Sequence, residues 1–298
     1  MLYTDFSAVN CNFAVGRELY KMQILYNLGD GKRRGNMLLA LDIGNTSISV
    51  GLFRMDTGST QLLHVFNLSS DANRTADEYT VLLINLLRFH EITPDMIHAS
   101  AMSSVVPALT SVIADTAKFL SGKSPLILGP GVKTGLNIRI DQQTQLGPDL
   151  VANTVAALNR MPAPLVAVDF GTATTFSVVD PTGALTGSII CPGLRVSMEA
   201  LTNSASLLVE SELSRPEKFV GKNTHDSVNS GVLNGHILMV DGFIRELRHT
   251  LCADSTCRLS LVATGGFSDY VLPYCRNKFT CIPHLTLHGI AEIYLRNM

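Results

Sequence analysis

Leu38-Leu39-Ala40-Leu41-Asp42-Ile43-Gly44-Asn45-Thr46-Ser47-Ile48-Ser49-Val50 and Leu165-Val166-Ala167-Val168-Asp169-Phe170-Gly171-Thr172-Ala173-Thr174-Thr175-Phe176-Ser177-Val178-Val179 are two copies of one pattern. Each reads as an apolar strand, an aspartate, an apolar residue, a glycine, a hydroxyl-rich turn and a second strand. Each then meets a hairpin signal, Asp56-Thr57-Gly58 in the first copy and Asp180-Pro181-Thr182-Gly183 in the second. A third strand and then helices follow in both. Two related α/β lobes with their Asp-x-Gly turns facing across a cleft are therefore expected.

Between the copies, Thr75 and Glu78 form a capping box ahead of a helix through Val81, Leu82, Ile84, Leu86 and Leu87. Ala99 to Pro107 reads as a strand leading into a helix that starts near Pro107. Leu150, Val151, Val155 and Leu158 make an apolar stripe on a helix that stops before Pro162. The domain reading is a first lobe over 37–160 and a second over 161–298. Residues 1–36 show no sustained period and end in Gly31-Lys32-Arg33-Arg34-Gly35-Asn36. They read as an N-terminal extension, disordered or upstream of a mis-called start, with Met37 opening the folded unit. They lack the basic and apolar regions of a secretory signal.

Composition narrows the function classes. In 298 residues, 46% are hydrophobic and 16% charged, enough apolar material for a sizeable core. Lysine and arginine number 23 against 25 aspartates and glutamates, a net charge of −2 with no basic stripe, which argues against nucleic acid as a partner. No apolar run is long enough to span a bilayer. The six cysteines, Cys11, Cys191, Cys252, Cys257, Cys275 and Cys281, contain no Cys-x-x-Cys and read as reduced thiols of a cytoplasmic protein.

The two turns carry the chemistry. A glycine after the strand lets backbone N–H groups approach a ligand, and Asn45, Thr46, Thr172, Thr174 and Thr175 add side chains able to hold phosphate oxygens. Asp42 could hold Mg2+ against those phosphates. Gly147-Pro148-Asp149-Leu150 precedes a helix, and Asp149 has two readings: a helix N-cap, or a cleft carboxylate that accepts a proton from a substrate hydroxyl. Gly265-Gly266, after the strand Leu259–Val262, permits close approach to a flat ring such as adenine. Gly122-Lys123-Ser124 fails as a phosphate-binding P-loop because Ala117 stands where its first glycine belongs. Gly129-Pro130-Gly131 likewise fails as a dinucleotide fingerprint, with Thr134 at its last glycine position.

Taken in order, Asp42–Thr46, Ser104–Pro107, Gly131–Leu136, Gly147–Asp149, Asp169–Thr175, Pro192–Leu194, Gly221–Thr224 and Gly265-Gly266 resemble the type III pantothenate kinase family. That family belongs to the sugar-kinase, actin and heat-shock-ATPase superfamily. The likeness covers Met37 to the C-terminus. It implies two duplicated ribonuclease-H-like lobes with an ATP cleft between them. It also implies phosphorylation of pantothenate by ATP, and a cytoplasmic homodimer. Carried over by position, Asp42, Ile43, Gly44, Asn45, Thr46, Ser47, Ile48 and Ser49 would bind ATP together with Thr172. Asp149 would be the general base. Asp169 would hold a monovalent cation, K+ or NH4+, and Asp42 would meet Mg2+ through the phosphates. Gly147, Pro148, Asp149, Leu150 and Thr224 would line the pantothenate site. Two positions depart from the pattern: Leu150 stands where arginine is common and Ile140 where tyrosine is frequent, each removing a polar contact near the substrate. A non-catalytic ATP-binding relative and a kinase for another hydroxylated substrate are the rival readings.

Overall fold

The first copy folds as a meander. β1 (Met37–Ile43) pairs antiparallel with β2 (Ser47–Asp56), and β2 with β3 (Ser59–Ser69). Helix α1 (Ala76–Arg88) follows, and its predicted capping box is present: the Glu78 N–H donates to Thr75 Oγ1 at 3.3 Å, and the Thr75 N–H donates to Glu78 Oε2 at 2.7 Å. β4 (Ile97–Ser104) then lies parallel to β1. Pro107 opens α2 (Pro107–Ser121), and Gly122 closes it in the left-handed conformation at φ 71°. The glycine of the failed phosphate loop is thus a helix stop. β5 (Leu126–Ile127) pairs parallel with β4, completing a five-stranded sheet in the order β3-β2-β1-β4-β5. The computed structural model describes residues 36–205, 212–252 and 256–298, and the reading of residues 1–35 lies outside the described residues.

After β6 (Asn137–Ile138) and α3 (Pro148–Leu158), the second copy repeats the plan. β7 (Leu165–Phe170), β8 (Ala173–Val179) and β9 (Ala184–Pro192) form the meander. Helices α4 (Leu194–Ser204), α5 (Thr224–Asn229) and α6 (Gly235–Leu251) follow, with a π-helical turn at Ser230–Asn234 between the last two. β10 (Ser260–Thr264) runs parallel to β7, then come α7 (Ser268–Val271), β11 (Thr280–Cys281) and α8 (Leu285–Leu295). This sheet has the order β11-β10-β7-β8-β9-β6. Apart from β6 at its edge, it is the order of the first sheet with each strand replaced by its counterpart.

Burial on both faces explains the continuous apolar runs of β1 and β7. Leu39, Leu41 and Ile43 face α1 and α2, while Leu38 and Ala40 face the opposite way, onto α3 and α8. Val166, Val168 and Phe170 enter the core under α4 and α6, and Leu165 and Ala167 turn toward α3. The C-terminal helix thus covers the first sheet, and β6, drawn from the stretch before α3, extends the second. α3 and α8 approach so closely that a side chain at Gly289 would overlap the backbone of Ala152. Residues Gly35–Met298 form one compact unit.

The thiol reading needs a correction. Cys252 and Cys257 are joined as a disulfide, their Cα atoms 5.3 Å apart, within the range such a bond requires. The two cysteines are five positions apart, a closure that cysteine spacing alone does not reveal. Cys191, Cys275 and Cys281 are free.

Candidate active site

The two aspartates occupy matching places. In β1, Asp42 lies opposite Ser49 of β2 and beside Ser103 of β4. In β7, Asp169 lies opposite Thr175 of β8 and beside Thr264 of β10. Each carboxylate therefore stands near the C-terminal end of a central strand, flanked by hydroxyl side chains. The turns that follow differ slightly: the first hairpin closes at Ile43–Ile48 and the second at Phe170–Thr174, one residue tighter. The turns meet, with Thr46 Oγ1 and Thr172 Oγ1 3.0 Å apart. Gly193 packs on the second turn, its N–H donating to the Thr172 carbonyl at 3.1 Å.

Asp42, Asp149 and Asp169 line a single cavity of about 530 Å³ together with Gly44, Asn45, Ser47, Ser49 and Thr172. Burial pushes the Asp42 carboxyl up to about 8, and the neighbouring Asp149 and Asp169 push the same way, against a smaller pull from the Ser103 hydroxyl. Asp169 is raised to about 6, again first by burial, with the Asn153 side chain opposing. Burial also raises Asp149, offset by a hydrogen bond from the Leu150 N–H to its Oδ1 at 2.9 Å. Three desolvated carboxylates in one cavity favour an occupant that carries positive charge or donates protons.

Asp149 is not the N-cap. Gly147 caps α3 without a side-chain bond, Pro148 takes the first helical position, and Asp149 follows it inside the first turn. A proline with fixed φ is well suited to that first position, which moves the aspartate one place inward. The other predicted residues distribute unevenly. Ile43 and Ile48 have side chains in the first core. Leu150 is also buried, in an apolar place. Thr224 lines a different cavity of about 580 Å³, with Lys222, Asn223 and Leu201. Gly265 and Gly266 do line the cleft. Gly265 has φ 97°, and a Cβ there would come within 2.5 Å of Asp169 Oδ1 and of the Phe170 backbone. Its glycine is required by the second turn itself, beyond any contact with a flat ring.

Two polar residues, one beside Asp169 and one at the first turn, carry no motif. Asn153 donates from Nδ2 to Asp169 Oδ2 at 3.0 Å and accepts from Thr286 Oγ1 at 2.9 Å. It lies one helical turn after Asp149, a spacing that could have been read from the sequence. Arg195, early in α4, donates from Nη2 to Thr46 Oγ1 at 3.1 Å. His284, left-handed at φ 55°, and Cys281 also line the cavity.

A family model described as type III pantothenate kinase matches residues 38–246. The type III pantothenate kinase of Syntrophotalea carbinolica is 38% identical over 261 residues, covering 88% of this chain and 99% of the relative. That of Myxococcus xanthus is 38% identical with the same coverage of each chain. That of Geobacter sulfurreducens is 36% identical, again over 88% of this chain and 99% of the relative.

Proposed function

Because this chain belongs to the type III pantothenate kinase family, we propose that it transfers the terminal phosphoryl group of ATP to the hydroxyl of pantothenate. The product is 4'-phosphopantothenate, on the way to coenzyme A. The observation that supports this most is the convergence of Asp42, Asp149 and Asp169 on one cavity rimmed by two glycine turns. Phosphoryl transfer asks for positioning and charge stabilisation, with little covalent chemistry from the protein.

Asp149 is the base in this reading. Burial raises its pKa toward working pH, where a carboxylate can accept the hydroxyl proton as the new O–P bond forms and the bond to ADP breaks. The turn over residues 42–49 and Thr172 hold the phosphates through N–H groups and hydroxyls. Gly147, Pro148 and Leu150 shape the pantothenate end beside Asp149, and Thr224 stays in that set through the family resemblance.

The carboxylates fit cations. Their mutual repulsion and burial are relieved by positive charge, so Asp169 would hold K+ or NH4+, and Asp42 would meet Mg2+ through the phosphates. Among the described residues no three His, Cys, Asp or Glu side chains form a metal cage, so phosphate oxygens would complete a divalent shell. Bound there, such a cation would neutralise the phosphates.

The lobes belong to the same proposal, as 37–160 and 161–298 with α8 returning to the first sheet. So does a homodimer: Phe219 and Val220, next to Gly221 of the second cavity, are 68% and 75% exposed and suit a partner surface. Cytoplasmic residence rests on the family resemblance. No helix among the described residues is long and apolar enough to cross a membrane.

An ATP-consumption assay across pantothenate and a small set of sugars, with and without potassium, tests the reading. Turnover with pantothenate that rises with potassium is expected. Turnover with a sugar alone would defeat the substrate assignment, and ATP binding without turnover would favour the non-catalytic alternative.

A further inference from the structure

The cavity between the turns has a charge problem. Asp42, Asp149, Asp169 and Asp269 line it, and no lysine or arginine stands among its described lining residues. A nucleoside triphosphate is itself multiply negative. Phosphates and ionised carboxylates repel one another, so a nucleotide bound here calls for added positive charge.

One cation already reaches the junction of the two turns. Arg195 projects from the first turn of α4 in the second half and bonds Thr46 in the first half. Thr46 in turn touches Thr172. The guanidinium therefore stands beside both turns assigned to phosphate. Its ion pair is loose, with Nε 3.6 Å from Glu199 Oε1. Its side chain keeps 49% of its surface exposed, so it can move onto a ligand. Arginine carries five donors in a planar fork, and these two contacts engage only part of it.

Resting on the kinase reading above, we propose that Arg195 binds the polyphosphate chain of the nucleotide, exchanging its Thr46 contact for phosphate oxygens and supplying the positive charge that the cavity wall lacks. It is a substrate-binding residue contributed by one half to the turn of the other.

The test separates charge from shape. R195Q keeps an amide able to reach Thr46 but removes the charge, and R195K keeps a charge without the fork. Affinities for Mg-ATP and for adenosine, which has no phosphate, are measured by calorimetry and competition. R195Q is expected to weaken Mg-ATP binding by about tenfold or more, the scale of a lost charged hydrogen bond. R195K returns within about threefold of the parent, and adenosine binding holds in both. Unchanged Mg-ATP affinity in R195Q overturns the proposal, and so does a parallel loss of ATP and adenosine. None of these readouts involves pantothenate. A parent protein inactive on pantothenate would sink the kinase reading while leaving this inference to the binding data.

Discussion

Thr46 and Thr172 lie 126 positions apart in the chain, yet their hydroxyl oxygens are 3.0 Å apart. They occupy the equivalent turn of each half, so the internal repeat closes on itself at the cleft. Either hydroxyl can donate, and both can turn to an incoming phosphate oxygen. The pair marks where the two halves share a ligand.

Thr172→Val keeps the volume of the side chain and removes the hydroxyl. The hydrogen bonds of charged groups contribute about 1.5–3 kcal/mol, so KM for ATP should rise roughly tenfold or more. KM for pantothenate should stay near the parent value. Steady-state kinetics with each substrate varied in turn checks this, and equal rises in both constants would contradict the assignment.

Asp149→Asn preserves shape and can still accept the Leu150 N–H bond. Since Gly147 is the cap of this helix, the change should leave stability nearly intact. Turnover should fall by roughly 100- to 10,000-fold, the range for losing acid–base assistance. Near-normal turnover in a folded variant would remove Asp149 from the role of base.

Asp42→Asn bears on pH. The folded-state pKa of Asp42 is raised from an ordinary 3.8 to about 8. Between those values the folded protein holds a proton that the unfolded chain has released. The contribution is full below the unfolded pKa and is lost as pH rises toward the folded one. Asp169, raised to about 6, acts in the same direction. The melting temperature of the protein without nucleotide or divalent cation should therefore fall as pH rises across this window. Asp42→Asn should flatten the slope and melt higher than the parent at the alkaline end. Thermal scans over the pH series decide it, and parallel curves for the two proteins would count against it.

Gly289→Ala sets two effects against each other. In a helix interior alanine is favoured over glycine by about 1 kcal/mol. Here the new methyl group would strike the backbone of Ala152, which cannot rotate away. Overpacking of this kind costs about 1–3 kcal/mol or more, so net destabilisation is expected. An unchanged or higher melting temperature would show that α3 and α8 can separate without loss.

Local chemistry made much of this protein readable in advance. The runs Leu38–Leu41 and Leu165–Val168 carry the signature of strands buried on both faces. Asp56-Thr57-Gly58 and Asp180–Gly183 are turns by composition, and Thr75 with Glu78 satisfies backbone donors within one helical turn. Such signals act over a few residues, so a repeat of them predicts a repeat of structure and places Asp42 and Asp169 at equivalent strand ends. The tertiary fold settled the remainder. Pro148 displaced Asp149 from the cap it seemed to fill, Thr224 went to a separate cavity, and Cys252 closed on Cys257. Arg195 and Thr286 came from distant segments to the cleft, and α8 crossed back to bury Leu38 and Ala40. Those outcomes depend on which apolar faces cover one another and which buried polar groups find partners across the chain. These are competitions between distant segments that no short window of sequence contains.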